Sequence, residues 1–220
     1  MKTIKINIEL KSDTLPGSGE GYGAVIDTDI VFDELGIPFI PAKRIKGCLK
    51  DSAREVMDML SLSGNSHFTD IENSIKELFG LPGQNEASGF QFYNLFPESY
   101  YQMTDWFKYL NYNYAEIFSK DSILDSFTSI RRQTEIDDKG VAVDHSLRTI
   151  RAIRKGLKFI GDILINTDNH ESETLLALSC ANLKRIGTKR NRGLGEVKCW
   201  LKGVDIKGTI KSLKAAEVKK

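Results

Sequence analysis

The chain begins with a strict alternation of apolar and polar residues. Isoleucine or leucine occupies every second position from residue 4 to residue 10. This period of two predicts a strand over residues 2–10 with one buried face. The same alternation over 157–165 predicts a second strand of this kind.

A helical period begins at Ala42. Residues 37–41 contain two prolines, and because the residue before a proline avoids the α region, this segment is predicted to be extended. Over residues 45–60, apolar side chains recur three or four positions apart. That spacing predicts a long helix with one buried stripe.

Weaker patterns complete the outline. Helical spacing predicts a short helix over 71–79 and another over 171–186, which is expected to end at a glycine C-cap, Gly187. Short apolar runs predict two further strands, at 90–93 and 197–201.

The net charge of +1 conceals a segregation of charge. Cations dominate residues 43–54, 148–158 and 184–198, whereas acids dominate 55–77. Such segregation is typical of a protein that holds a polyanion on one side. Cations at the start of the predicted long helix reinforce the positive end of its dipole, although a solvated basic face is the alternative.

Length and composition restrict the class of protein. With 220 residues and 40% hydrophobic content, the chain can form a sizeable core. It shows no secretory leader and no membrane-length apolar stretch, so a cytoplasmic protein without membrane contact is expected. Cys48, Cys180 and Cys199 lie far apart in apolar runs, which indicates buried thiols rather than a disulfide framework or a zinc site.

Two glycine-rich segments are candidates for close backbone contact with a ligand. Residues 15–23 are rich in glycine but lack the ending of a phosphate-binding P-loop, and a flexible surface loop is the alternative. Residues 187–195 read Gly-Thr-Lys-Arg-Asn-Arg-Gly-Leu-Gly. Amides and cations combined in one turn can hold successive phosphates, and a cationic surface turn is again the alternative.

Acidic and aromatic residues leave two questions open. Asp27, Asp29 and Asp33 either cap turns or hold a divalent cation against phosphate oxygens. Residues 95–130 are rich in aromatic side chains, which either stack on bases or pack an insertion. Base stacking would be expected to come with cations that hold phosphates. From Tyr100 to Tyr114, Lys108 is the single basic residue between the aromatic side chains, so packing is favoured.

The order of these motifs resembles a known family. A strand and a glycine-rich loop are followed by Pro-Ala-Lys-Arg-Ile-Lys-Gly at 41–47, Thr-Glu-Ile-Asp at 134–137 and the basic loop at 187–195. Together they resemble the RAMP superfamily of CRISPR-associated proteins, in particular the small RNA-binding backbone subunits of Csm- or Cmr-like type III interference complexes. The resemblance implies an α+β fold with a ferredoxin-like, RRM-related core.

The resemblance also implies a domain organisation. A single domain is expected over residues 1–203, with a polar C-terminal tail at 204–220. A helical and aromatic insertion is expected at about 61–130, where the resemblance is weakest. A β-hairpin thumb is expected at about 131–155, and in the family it wedges between bases of the guide–target duplex. Asp-Lys-Gly at 138–140 is its predicted tip.

RNA contacts are expected on the long helix, the thumb and the basic loop. The predicted RNA-binding residues are Lys43, Arg44, Lys46, Lys50, Arg54, Arg131, Arg132, Thr134, Ile136, Arg148, Arg151, Gly187, Lys189, Arg190, Asn191, Arg192, Gly193 and Gly195.

A catalytic role is implied for one aspartate. In cleaving members of the family, an aspartate before the helix start supports metal-dependent cutting of the target RNA. The matching position is Asp27, with Asp29 as the alternative, so Asp27 is the predicted ligand of Mg²⁺ or Mn²⁺. It would position the scissile phosphate for in-line attack by the 2′-hydroxyl. His145 in the thumb is either an acid–base group or, as favoured, a polar surface residue.

The helix start departs from the family pattern, which is usually Pro-Gly-Ser-Ser-Leu-Lys-Gly. The form found here resembles type III-D members, some of which bind the repeat-derived handle of the guide and are not known to cut RNA. The leading hypothesis is a crRNA-binding backbone subunit that cleaves the paired target RNA. The alternatives are a non-catalytic scaffold or handle-binding subunit and a standalone processing nuclease, for which Tyr22 is the nearby base. Expected partners are crRNA, target RNA, other effector subunits, and copies of itself or related RAMP subunits in a filament.

Overall fold

The computed structural model describes residues 1–17, 26–62, 71–81, 89–188 and 192–217, with only the backbone described at 71 and 214–217. The strands within these ranges are β1 (Lys2–Leu10), β2 (Phe90–Phe92), β3 (Phe96–Pro97), β4 (Thr128–Gln133), β5 (Arg148–Ile153), β6 (Lys158–Ile165) and β7 (Val197–Leu201). The helices are α1 (Ala42–Leu62), α2 (Ile71–Phe79), α3 (Tyr100–Asn113), α4 (Lys120–Phe127), α5 (His170–Asn182) and α6 (Ile206–Glu217).

The central sheet is antiparallel and has the strand order β2-β6-β1-β7, with β3 pairing on β6. α1 and α2 connect β1 to β2, and α5 connects β6 to β7. This is the βαββαβ connectivity of a ferredoxin-like fold, so the predicted α+β fold is confirmed. The two alternating segments of the sequence form its central strands, β1 and β6.

One face of the sheet is covered by helices. Ile6, Ile8 and Phe159 on this face are fully buried, and they share one core cluster with Ile45 and Leu49 from the predicted stripe of α1. Burying a side chain of this size contributes about 1.5–3 kcal/mol. The opposite face of β1 and β6, which alternates with the first, carries the more exposed side chains.

Between β3 and β6 the chain leaves the central sheet. After α3 and α4, β4 and β5 pair antiparallel from Thr128 opposite Ile153 to Gln133 opposite Arg148. A tight turn lies beyond this pairing, because the Asp137 N–H donates to the Val141 carbonyl at 2.9 Å. The hairpin and its tip, predicted within the thumb, are therefore present. We refer to residues 128–153 as the β4–β5 hairpin.

The expected glycine C-cap at Gly187 is wrong. α5 ends at Asn182, and its C-cap Leu183 has the extended angles φ −64°, ψ 108°. The buried Leu183 and Ile186 continue the apolar spacing of the helix, but the backbone there is extended and bridges to Glu196. Tertiary pairing therefore ends α5 before its apolar pattern stops.

The C-terminal segment contains a helix. Residues 204–220 were expected to be a polar tail, yet 206–217 form α6, and its Leu213 side chain is 5% exposed within the core cluster. Cys180 and Cys199 are buried and Cys48 is half-buried, all as free thiols. Within the described ranges, no helix combines the length and apolar composition needed to cross a bilayer.

Candidate nucleic-acid interface

A groove separates the first turns of α1 from the segment that follows Ile186. It has a volume of about 570 Å³, and its walls include Gly17, Lys43, Arg44, Gly187 and Thr188. Lys43 and Arg44 are exposed. The groove therefore brings two predicted RNA-binding cations against the start of the predicted basic loop.

A second hollow of about 840 Å³ continues this groove along α1, and the two share Cys48, Asp51, Gly187 and Thr188. Its cations include Lys184, Arg185 and Arg192, and its acids are Asp51 and Glu55. We call the two hollows together the α1 groove. Among the residues that the structure describes, the acids of this groove lie in the continuation or at the junction, so the attraction for phosphate is strongest near the helix start.

The far wall of the groove is fastened to the segment after β1. The Thr188 N–H donates to the Leu15 carbonyl at 3.0 Å, and the Gly195 N–H donates to the Asp13 carbonyl at 2.9 Å. Gly187 has φ +84°, and a Cβ there would lie 2.1 Å from the Leu15 oxygen. The amides of Thr188 and Gly195 are therefore occupied by hydrogen bonds within the chain, although amides of this loop were expected to hold phosphates.

Gly195, like Gly187, lets two backbone segments approach closely. It has φ +79°, and a Cβ would lie 2.1 Å from the Ile186 oxygen, whereas Gly193, at φ +74°, has open space around it. Two of the three glycines thus permit close backbone approach. The predicted contacts Lys189, Arg190 and Asn191 lie outside the described residues, as does Tyr22.

The remaining cations of α1 do not line the groove. Lys46 Nζ lies 5.9 Å from the centre of the Phe92 ring, and burial, followed by the neighbouring charge of Lys50, lowers the pKa of Lys46. Lys50 Nζ lies 3.5 Å from the Gly80 carbonyl. Lys46 and Lys50 therefore approach β2 and the end of α2 instead of the groove.

Arg54 also differs from the cations at the helix start. Its Nη1 lies 3.7 Å from Asp51 Oδ1, one turn back along α1, and both side chains are more than half exposed. A pair of this kind contributes little to stability. Arg54 is therefore placed beside the α1 groove rather than in its wall.

The first turn of α1 is capped by a residue that the sequence did not reveal. Asn94 Oδ1 accepts a hydrogen bond from the Ala42 N–H at 2.8 Å. Ile40 and Leu95 exchange two backbone hydrogen bonds of 2.9 Å beside it. This cap fixes the direction of the helix start, and because it joins positions 52 apart in sequence, no local pattern signals it.

Aspartates flanking the glycine-rich segment form ion pairs with arginines of the β4–β5 hairpin. The pairs are Asp13 with Arg131 at 2.7 Å, Asp27 with Arg148 at 3.2 Å and Asp29 with Arg151 at 3.8 Å. Three arginines predicted to bind RNA are therefore paired with carboxylates. Both predicted catalytic aspartates take part in these pairs.

Asp27 is the more accessible of the two predicted catalytic acids. Its side chain is 38% exposed and that of Asp29 is 3% exposed. One oxygen of Asp27 accepts the Thr149 N–H at 2.7 Å and the other accepts Arg148 at 3.2 Å. The Thr149 N–H, and then Arg148, hold the pKa of Asp27 below its ordinary value. Asp27 is therefore an ionised carboxylate beside the end of the β4–β5 pairing that faces the hairpin tip.

Asp33 acts as a turn cap. It accepts the N–H groups of Leu35 and Ile37, both at 2.9 Å, and the Tyr100 hydroxyl at 2.9 Å. Among the residues that the structure describes, no three histidine, cysteine or acidic side chains are grouped closely enough to hold a metal ion. Of the two predicted catalytic acids, Asp27 is the one that solvent reaches. Mg²⁺ commonly binds one or two carboxylates together with substrate phosphates, so Asp27 would suit such an ion as one ligand beside a substrate phosphate.

The outer part of the hairpin presents the remaining predicted residues. Arg132 is exposed, Thr134 Oγ1 lies 2.7 Å from Ser146 Oγ, and Ile136 is 63% exposed. His145 is exposed at φ +59°. The hairpin thus carries an apolar side chain at its tip and a cation nearer its base.

Comparisons with known proteins agree with this architecture. Over 95% of its length, the chain superposes on 99% of a chain from a cryo-EM structure of type III-B Cmr-beta bound to cognate target RNA, with TM-score 0.64 and 15% identity. A chain from the apo state of type III-B Cmr-beta matches with TM-score 0.61 and 17% identity, covering 91% of this chain and 97% of that chain. No curated protein matches the sequence. The sequence model of the RAMP superfamily matches residues 7–198, and the chain therefore belongs to the RAMP superfamily.

Proposed function

We propose that this chain is a crRNA-binding backbone subunit of a type III CRISPR interference complex. The observation that carries the proposal is the continuous α1 groove, in which Lys43, Arg44 and Arg192 lie on a RAMP fold. The similar Cmr-beta chain belongs to a complex bound to target RNA, which supports the same role here. Other effector subunits, and copies of this chain or related RAMP subunits in a filament, are its proposed protein partners.

The groove favours the ribose-phosphate backbone over the bases. Its exposed cations lie beside the positive end of the α1 dipole, which attracts phosphate. Contacts of this kind are independent of sequence and weaken as salt increases. A guide that must accept any spacer sequence requires this type of recognition.

We further propose that the paired target RNA is cleaved beside Asp27. The carboxylate is ionised and reached by solvent. It lies beside the tip-side end of the β4–β5 pairing, where a wedged duplex would expose its backbone. A bound divalent ion would supply charge neutralisation at the scissile phosphate. Arg148 must release Asp27 Oδ1 for that oxygen to serve, and a target phosphate is a suitable competing partner for the guanidinium.

A non-catalytic scaffold or handle-binding subunit is the second candidate. The observation that favours it is the engagement of both Asp27 oxygens by Thr149 and Arg148. In this case the three aspartate–arginine pairs serve only to fasten the hairpin to the glycine-rich segment.

Replacing Asp27 in the assembled complex distinguishes the candidates. Asp27→Asn removes the charge and Asp27→Ala the whole group, and Asp144→Ala is the matched control because Asp144 is an exposed acid of the same hairpin. If the subunit cleaves, both Asp27 variants lose cutting of paired target RNA at least a hundredfold while crRNA loading stays normal. Unchanged cutting would favour the scaffold, and loss of crRNA loading in the control as well would indicate a folding defect.

A further inference from the structure

We infer that the open face of the central sheet holds a pocket for an unpaired nucleobase, separate from the α1 groove. This inference rests on the proposed RNA-binding function. The pocket, of about 750 Å³, forms where the start of α3 and the segment around β3 fold over β1 and β6. We call it the sheet pocket.

The walls of the sheet pocket are aromatic and unequal in exposure. Tyr100 is half-buried, with its ring centre 4.3 Å from that of Phe96 and its hydroxyl bonded to Asp33 at 2.9 Å. These contacts fix one wall. Tyr93 and Tyr101 are 45% and 82% exposed, so two rings remain available for stacking on a planar ligand.

The polar groups of the pocket match a neutral heteroaromatic ring better than a phosphate. Among the described residues that line the pocket, Lys5 is the one cation, and its Nζ already pairs with Asp162 at 2.8 Å. Gln102 is exposed and lines the pocket, and its side-chain amide can donate and accept at the edge of a base. The floor is mixed, with the apolar Ile160 and Leu164 beside the Lys5–Asp162 pair.

The pocket also lies next to the path proposed for RNA. Asn94 lines the pocket and at the same time caps the first amide of α1 at 2.8 Å. Lys43 and Arg44, which follow that amide, line the α1 groove. A strand held by these cations can therefore turn one unpaired base across Asn94 into the pocket, where aromatic stacking tolerates any base.

The test compares binding of a fluorescein-labelled, mixed-sequence single-stranded RNA by full-length variants. Tyr93→Leu combined with Tyr101→Leu removes both exposed rings, and Tyr112→Leu is the control because Tyr112 is 89% exposed on α3 outside the pocket. We expect the double variant to bind about tenfold more weakly with an unchanged salt slope, because stacking involves no phosphate. Wild-type affinity in the double variant, or an equal loss in the control, would overturn the inference.

A second measurement separates this inference from the proposed function. Adenosine and uridine, which lack phosphate, are titrated into the full chain at millimolar concentration, with binding followed by tyrosine fluorescence. Saturable quenching that the double variant loses supports the pocket even if no RNA binds elsewhere. Absence of quenching overturns it. In the assembled complex, a photocrosslinker at position 101 should join RNA, and a crosslink to another protein subunit instead would also overturn it.

Discussion

The substitution Gly187→Ala tests how the wall of the α1 groove is built. Gly187 has φ +84°, and the new Cβ would lie 2.1 Å from the Leu15 carbonyl oxygen. A left-handed conformation costs a residue other than glycine about 1–2 kcal/mol. The clash must also displace the chain and break the 3.0 Å bond from the Thr188 N–H to Leu15, which costs about 1 kcal/mol more. A loss of about 2–3 kcal/mol in the free energy of unfolding is expected.

Gly193→Ala is the matched control in the same loop. Gly193 has a similar φ of +74°, but nothing lies within 4 Å of the position a Cβ would take. Only the conformational cost of about 1–2 kcal/mol should appear. Urea unfolding at equal m-value measures the loss of stability in both variants. Titration with single-stranded RNA measures the affinity of the α1 groove for RNA.

If Gly187 fastens the groove wall, Gly187→Ala loses more stability than Gly193→Ala and also binds RNA more weakly. Equal losses of stability, with RNA affinity unchanged in both, would mean that the contact between the basic loop and Leu15 does not shape the groove.

Two further predictions concern stability. Burial would raise the pKa of Glu77, but hydrogen bonds from Ser172, Thr167 and Asn169 outweigh it and lower the pKa. The ionised carboxylate therefore stabilises the fold above a pH of about 4.3, and this stabilisation is lost as the pH falls through the lower native pKa. In urea unfolding, Glu77→Gln should therefore lower the free energy of unfolding by about 1–2 kcal/mol at pH 7 and by less at pH 3. A loss of stability that is the same at both pH values would contradict this. Leu213→Ala, at a side chain 5% exposed, should cost about 2–4 kcal/mol; a negligible cost would show that α6 does not pack on the core.

Periodic segments of the fold could be predicted closely. β1 and the start of α1 match the predicted bounds because each has one buried face and a complete period. α5 was predicted too long because Leu183 and Ile186 are buried at helical spacing although their backbone is extended. The spacing of apolar residues indicates which positions are buried, but it does not indicate where tertiary pairing ends a helix.

The candidate site was predictable in its residue types but not in its pairings. Charge windows located Arg44 and Arg192, which the structure brings to one continuous groove. The pair Asp27–Arg148 joins residues 121 apart, and the sequence assigned the acid to a metal and the arginine to RNA. Complementary charges at such separations meet only after the hairpin docks, so each was assigned an external partner.

The most direct test of the α1 groove is the salt dependence of crRNA binding by the full chain. Arg44→Gln and Arg192→Gln are compared with Lys108→Gln, an exposed cation of α3 outside the groove. Each groove variant should flatten the plot of log affinity against log salt by about 0.7, the value for one phosphate contact on a single strand. Slopes that stay at the wild-type value in both groove variants would contradict the assignment of this groove to the ribose-phosphate backbone.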